Sequence, residues 1–293
     1  MEYRQTPIIQ IKNQLLEERG VELLIKREDL NHPYVSGNKW WKLKYNLEEA
    51  INQGHNTLLT FGGAYSNHIY ATAAAAHESG LKSIGIIRGE ETMPLNATLS
   101  FVKRIGMKLH YMSREIYRTK DDPNFNQKLI DQFGKFYLIP EGGTNVFAIK
   151  GCEEWADILN NESDFDYLCL PVGTGGTIAG MINVLNNKKI IGFSSLRGGA
   201  FLEDETRRRV NHKRDNWRIE TEYHFGGYGK VKKELVDFIF EFERTYQIPL
   251  DPVYTAKMMY GIFELIKAGR FKHQSKILAL HTGGLQGRAG FNF

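Results

Sequence analysis

"DYLCLPVGTGGTIAGMINVLNN", Asp166 to Asn187, carries an apolar run of strand length, a glycine turn and a segment of helix length. Strand, turn and helix in that order make one half of a strand–helix–strand crossover. In the turn, Gly173, Gly175 and Gly176 let the backbone approach a ligand closely, and Thr174 and Thr177 add hydroxyls at a helix N-terminus. Those are the parts of a phosphate cradle. A nucleotide P-loop would end in Gly-Lys-Ser/Thr, and no lysine follows here. The dinucleotide pattern GxGxxG fails at Ile178, and the next strand, "KIIGFSS", ends without an acidic partner for a ribose. A single phosphate monoester fits best. The competing reading is a glycine turn needed only for tight strand–helix packing.

The same alternation runs outward from this segment. "TLLTF", "KSIGIIR", "MKLHYM", "KFYLIP", "KIIGFSS" and "SKILALH" have the length and composition of buried strands. "SNHIYATAAAAHESG", "NATLSFVKRIG", "NVFAIKGCEEWADILNN" and "AKMMYGIFELIKAG" suit the crossover helices, the first two closing on a glycine stop. An α/β protein with mostly parallel sheets is expected. Ligands in such folds bind at loops that follow strand carboxyl ends. Three more of those loops are rich in glycine: "FGGAYSNH" (Phe61 to His68), "PEGGTN" (Pro140 to Asn145) and "HTGGLQG" (His281 to Gly287).

Composition narrows the class of partner. The chain has 293 residues, 42% hydrophobic, with 38 basic against 34 acidic side chains and a formal charge of +4. No whole-chain field points to nucleic acid or to a membrane, so a small molecule is the expected partner. The basic stretch "TRRRVNHKRD", Thr206 to Asp215, is read as a solvated face. Cys152 and Cys169 cannot make a disulfide framework and suit a reducing compartment. The N-terminus lacks the apolar core of a signal peptide and no window approaches a membrane span, so a cytoplasmic protein is expected. No metal site is expected.

"SGNKWWKLKYNL", Ser36 to Leu47, places Lys39 just before an expected helix and beside Trp40 and Trp41. Lys39 is either a surface lysine or a covalent anchor for an aldehyde. Anchoring needs a neutral amine, and a free lysine titrates near roughly 10.4. Burial beside the tryptophans would lower that value. A ligand with one phosphate and one aldehyde, pyridoxal phosphate, needs both a glycine-rich helix start and such a lysine. Ser66 and Asn67 also suit the N-cap of the alanine-rich helix that they open. Tyr254 and His281, taken alone, read as packing residues.

Together, "IKREDL", "SGNKWWKLKYNL", "FGGAYSNH", "VGTGGTIAGM", "DPVYTAKMMYG" and "LHTGG" resemble the 1-aminocyclopropane-1-carboxylate deaminase and D-cysteine desulfhydrase family. The motifs run in family order from Lys26 to Gly284. That resemblance implies a tryptophan-synthase-β-like, fold-type-II pyridoxal-phosphate enzyme with two open, mostly parallel-sheet domains. Residues 43–147 would form a smaller inserted α/β domain, and residues 1–42 with 148–293 the larger cofactor-binding one. Lys39 matches the Schiff-base lysine, and Asn67 the asparagine at the cofactor ring hydroxyl. Gly173, Thr174, Gly175, Gly176 and Thr177 match the phosphate cradle. Ser66 matches the active-site serine, and Tyr228 and Tyr254 the tyrosines facing substrate. Tyr65 and His68, in the same loop as Ser66, are further substrate-binding candidates. A homodimer is implied as well.

Two positions bear on the reaction. Ring-opening deaminases of the family resemble "PVYEGK" and "HLGG" where this chain has Thr255 and Thr282, as the desulfhydrase branch does. A glutamate can keep the pyridine nitrogen protonated, and a threonine hydroxyl cannot. Elimination from a small amino acid, D-cysteine to pyruvate, ammonia and sulfide, is therefore expected. The alternatives are 1-aminocyclopropane-1-carboxylate deamination, a cofactor-binding protein without turnover and a dinucleotide-dependent oxidoreductase. The chain departs from the family at Tyr65, where a glutamine is usual, at Tyr70, near the usual arginine, and in a shorter stretch between about Leu185 and Tyr228.

Overall fold

The computed structural model describes residues 1–120 and 122–291. Its strands are β1 (Ile8–Ile11), β2 (Glu22–Lys26), β3 (Thr57–Gly62), β4 (Lys82–Arg88), β5 (Lys108–Met112), β6 (Tyr137–Ile139), β7 (Tyr167–Val172), β8 (Lys189–Ser194), β9 (Trp217–Glu220) and β10 (Lys276–Leu280). They form two sheets. One has the order β5-β4-β3-β6 and is parallel throughout. The other has the order β1-β2-β10-β7-β8-β9 and is parallel except where β1 pairs β2. Central strands are buried on both faces, as β7 is along its whole length, which is why their sequences read as unbroken apolar runs.

The helices are α1 (Gln14–Arg19), α2 (Asn38–Asn52), α3 (Asn67–Glu78), α4 (Ala97–Arg104), α5 (Arg114–Tyr117), α6 (Pro123–Phe133), α7 (Val146–Glu162), α8 (Gly176–Val184), α9 (Phe201–Arg207), α10 (Lys233–Tyr246) and α11 (Thr255–Lys267). Side-chain oxygens of Ser66, Asn96 and Asn145 cap α3, α4 and α7. Gly80 and Gly106 lie at positive φ beyond the ends of α3 and α4, the stops expected of them.

One packing relationship positions the site. A Cβ on Gly151 of α7 would fall 1.9 Å from the carbonyl oxygen of Trp41, so only glycine lets α7 press against α2. Trp41 and Trp155 then stack at 5.9 Å with an interplanar angle of 4°. Gly180 of α8 similarly faces Cys152 of α7, 2.5 Å from where its Cβ would be. Through α7, the helix that carries Lys39 is thus locked to the helix that the glycine turn begins.

Two expectations need correction. Lys39 does not precede α2 but lies in its first turn, because the helix starts at Asn38. Strands β1, β2 and β9 and helices α1, α5, α6, α9 and α10 carried no signal strong enough to be read. β9 survives as a strand because it pairs β8 at the sheet edge. As expected, the basic stretch is largely a solvated face. Arg208 and Arg209 both pair with Glu205, and Arg207 lies over the ring of Trp217. Among the described residues no helix is long and apolar enough to cross a membrane.

Candidate active site

A cavity of about 290 Å³ opens where the carboxyl ends of both sheets meet. Loops after β3, β6, β7, β8 and β10 line it, with Arg88 at the end of β4, the placement expected of a ligand site in an α/β fold. Of the expected residues, the cavity gathers Lys39, Ser66, Asn67, His68, Gly173, Thr174, Gly175, Gly176, Thr177, Tyr228, Tyr254 and Thr282.

Lys39 is placed by the turn before it. Gly37 has φ +68°, its N–H donates to Asn31 Oδ1 at 2.9 Å and to the Glu28 carbonyl at 2.9 Å. A Cβ there would lie 1.9 Å from the Thr282 carbonyl oxygen, so only glycine lets this loop run against the one after β10. Glu28 is fully buried and accepts from Thr6, Asn31 and Trp41. The Lys39 amine donates to Asn38 Oδ1 at 3.2 Å, and Asn38 Nδ2 donates to Thr177 Oγ1 at 2.9 Å. Burial lowers the amine to about 8, bringing an appreciable neutral fraction into the neutral pH range.

The glycine turn starts α8 at Gly175, whose φ is +78°, and no side chain caps that helix. Its first N–H groups therefore face the cavity without a side-chain partner. Lys42, one turn after Lys39, enters the same region. It donates to the Gly142 carbonyl at 2.5 Å and to Thr144 Oγ1 at 2.9 Å, and Thr144 shares a 2.6 Å hydrogen bond with Thr174. Burial, then the nearby Lys39 charge, lower Lys42 to about 7. An anion at the cradle would restore its charge.

The remaining side chains differ in what they do locally. Ser66 Oγ caps α3 by accepting from Ile69, 3.2 Å away. His68 is buried, with Nε2 2.8 Å from Thr60 Oγ1, and burial keeps its basicity well below the usual range. Tyr228 and Tyr254 meet edge to face at 6.1 Å, and burial pushes Tyr254 well above the ordinary phenol range, so it stays protonated. His281 bridges Asp29 at 3.3 Å and the Pro249 carbonyl at 2.7 Å, holding Thr282 and the start of the Asp251 loop.

Two expected residues are not brought to the cavity wall. Thr255 is fully buried, and its hydroxyl accepts the N–H of Asp251 at 2.8 Å. Tyr65 is half exposed and lies against Gly290, where a Cβ would fall 2.8 Å from its ring. Tyr70 does reach the wall, stacked on Phe101 at 4.2 Å, and Tyr34 also stacks on Phe101 at 5.4 Å. The glycines of the turn also answer to packing. A Cβ on Gly176 would meet Thr144 Oγ1 at 2.6 Å, and one on Gly175 would meet Thr206 Oγ1 at 3.0 Å. Packing by itself thus demands glycine at these two positions, and that demand is compatible with a phosphate cradle.

Sequence reasoning missed Lys42, Arg88, Glu141, Asp251 and Gln286. Lys42 had a signal, since "KWWK" puts two lysines three apart on one helix face. Asp251 lay inside a quoted motif. Glu141 and Gln286 lay in glycine-rich loops already singled out and Arg88 ended an expected strand, but nothing local marked these side chains, because only folding brings them together.

A ligand held by an amine at one point and by a helix start at another needs both on one cavity wall. Lys39, Lys42 and the uncapped start of α8 meet that requirement for an aldehyde that carries a phosphate. Fold and site thus define the class as the pyridoxal-phosphate enzymes of fold type II. The chain belongs to the pyridoxal-phosphate dependent enzyme family, whose model matches residues 1–283, and within it to the group of 1-aminocyclopropane-1-carboxylate deaminases and D-cysteine desulfhydrases. It is 32% identical to the mitochondrial bifunctional D-cysteine desulfhydrase/1-aminocyclopropane-1-carboxylate deaminase of Arabidopsis thaliana, over 92% of this chain and 73% of that one. A Thermotoga maritima protein provisionally named 1-aminocyclopropane-1-carboxylate deaminase is 32% identical over 97% of this chain and 95% of its own. A solved structure of an "ACC deaminase homologue" superposes with a TM-score of 0.81 at 30% identity, covering 97% of this chain and 91% of that one.

Proposed function

We propose that this enzyme eliminates the β-substituent of a small amino acid, D-cysteine being the substrate that fits best, with pyruvate, ammonia and sulfide as products. The observation that supports this most directly is the cavity wall. Thr282 lies on it, and Glu141 is the one carboxylate on it among the described residues. Glu141 sits beside Gly142, which packs on Thr174 of the cradle, at the phosphate end of the site. Asp251 lies behind the wall and gives Oδ1 to the start of α11, so no described carboxylate other than Glu141 lines the cavity to keep the pyridine nitrogen protonated, which favours loss of a good leaving group over opening of an unactivated carbon ring.

When bound, pyridoxal phosphate supplies the sink for the electron pair left at Cα. Lys39 would hold the aldehyde end, and the α8 start with Thr174, Thr177 and Lys42 would hold the phosphate. The N–H groups at the start of α3, around Ser66, Asn67 and His68, suit the substrate carboxylate. Lys39, about half neutral near pH 8 because burial lowers it to about 8, would take the Cα proton. Tyr254, kept protonated by burial, gives a proton to the departing sulfur, with Tyr228 beside it. The C–S bond breaks as the Cα proton leaves, and one water is consumed overall as nitrogen departs as ammonia.

Names of the relatives favour a second activity, deamination of 1-aminocyclopropane-1-carboxylate. Incubation of the loaded enzyme with each compound separates the two. Pyruvate from D-cysteine with sulfide in equal amount is expected. Release of 2-oxobutyrate from the cyclopropane substrate at a comparable rate would overturn the assignment. A homodimer belongs to the same proposal, and sedimentation of the loaded enzyme tests it.

A further inference from the structure

We infer that Gln286 is a positioning residue that sets which end of the Asn67 amide faces the cavity. This rests on the proposal that Asn67 meets the ring oxygen of the cofactor. Gln286 Nε2 donates to Asn67 Oδ1 at 2.5 Å, joining the first residue of α3 to the turn after β10. Both side chains line the cavity.

A primary amide has one accepting end and one donating end. With Oδ1 taken by Gln286, Asn67 has Nδ2 left, and no described residue accepts from it. Asn67 is not needed as a helix cap, because Ser66 fills that role. The loop after β10 is shaped around this amide. Gly284 has φ +90°, and a Cβ there would fall 2.4 Å from Asn67 Nδ2 and 3.5 Å from Asp251 Cγ. The free Nδ2 end suits an ionised ring oxygen, which accepts hydrogen bonds. Gln286 thus holds a donor in place that Asn67, on a freely turning Cβ–Cγ bond, would present only part of the time.

Reversing the polarity of the partner tests this. Gln286→Glu accepts only, so it would take Nδ2 and turn Oδ1 toward the ring oxygen. Gln286→Lys donates only, so it preserves the native arrangement. Each variant, with Asn67→Ala, is loaded with pyridoxal phosphate, and its absorption spectrum across pH and its rate of cofactor loss on dialysis are recorded. Gln286→Glu and Asn67→Ala should both shift the absorption midpoint and weaken retention roughly tenfold or more, the worth of one hydrogen bond to a charged group. Gln286→Lys should stay close to the native protein. Melting of each cofactor-free variant checks that folding is kept. A shift in Asn67→Ala with a native-like Gln286→Glu would overturn the role of Gln286 alone, as would native-like Gln286→Glu with a shifted Gln286→Lys. No shift in Asn67→Ala would overturn the Asn67 contact itself, and the role of Gln286 with it.

Discussion

Thr255 and Asp251 cap each other. The Asp251 N–H donates to Thr255 Oγ1 at 2.8 Å, and Asp251 Oδ1 accepts from the N–H of Thr255 at 3.2 Å and of Tyr254 at 2.6 Å. This reciprocal cap starts α11 and fixes Tyr254. Thr255 therefore spends its hydroxyl on the backbone, whereas Thr282 lies on the cavity wall. Thr255→Val should lower stability by roughly 1 kcal/mol, the usual net worth of a hydrogen bond, and leave kcat on D-cysteine within a few fold. Thr282→Val should do the opposite. Thermal melts paired with pyruvate release check both, and a turnover loss without destabilisation in Thr255→Val would contradict this division of labour.

Lys39→Ala should remove both the visible absorbance of the loaded protein and its turnover. The melting temperature of the cofactor-free variant should hold or rise, because the buried amine it loses was poorly solvated. A spectrum and a melt on the same sample decide it. An intact visible band would place the covalent anchor elsewhere.

Stability of the cofactor-free protein should rise with pH between about 7 and 8.5. Burial lowers Lys39 and Lys257 to about 8 and Lys42 to about 7, against roughly 10.4 in the unfolded chain. In that window the unfolded chain holds protons that the folded chain has released, so its excess of bound protons makes stability increase with pH. Asp251, raised to about 6, has mostly lost its proton in both states there. Above the window the thiol of Cys152, raised to about 11, works in the other direction. Melting temperatures across the range should show the rise, and Lys42→Met should flatten it.

Gly176→Ala should weaken cofactor retention and lower the melting temperature together, because the added methyl would strike Thr144. Lys42→Met should separate the two effects. It removes the buried cation beside the cradle, so retention should fall about tenfold or more, as for a lost charge-assisted hydrogen bond, while the cofactor-free protein is no less stable. Dialysis rates and melts measure both quantities. Unchanged retention in Lys42→Met would show that the phosphate lies away from this amine.

The core strands were legible in the sequence because they are buried on both faces. β3, β4, β7 and β8 read directly as apolar runs, and their observed bounds depart little from those expected. The edge strands β5 and β6 were read as well, but the edge strands β1 and β9 were not. β9 alternates polar and apolar residues over four positions, too few to identify without β8 beside it. Lys39, the glycine turn and the serine loop were also readable, since each is a contiguous stretch whose backbone conformation demands particular residues.

Sequence by itself determined the α/β class, the family and the loops that line the cavity, because glycines, caps and apolar runs act on the chain within a few residues. Tertiary structure alone decided which side chains of those loops face the cavity. Thr255 turned inward because Asp251 offered its backbone N–H, and Tyr65 turned outward onto Gly290. Lys42, Glu141 and Gln286 joined the site because packing of α2 on α7 and the meeting of two sheets brought distant loops to one wall. Their hydrogen bonds span from 100 residues, Lys42 to Gly142, to 219, Asn67 to Gln286, and no local pattern encodes a partner that far along the chain.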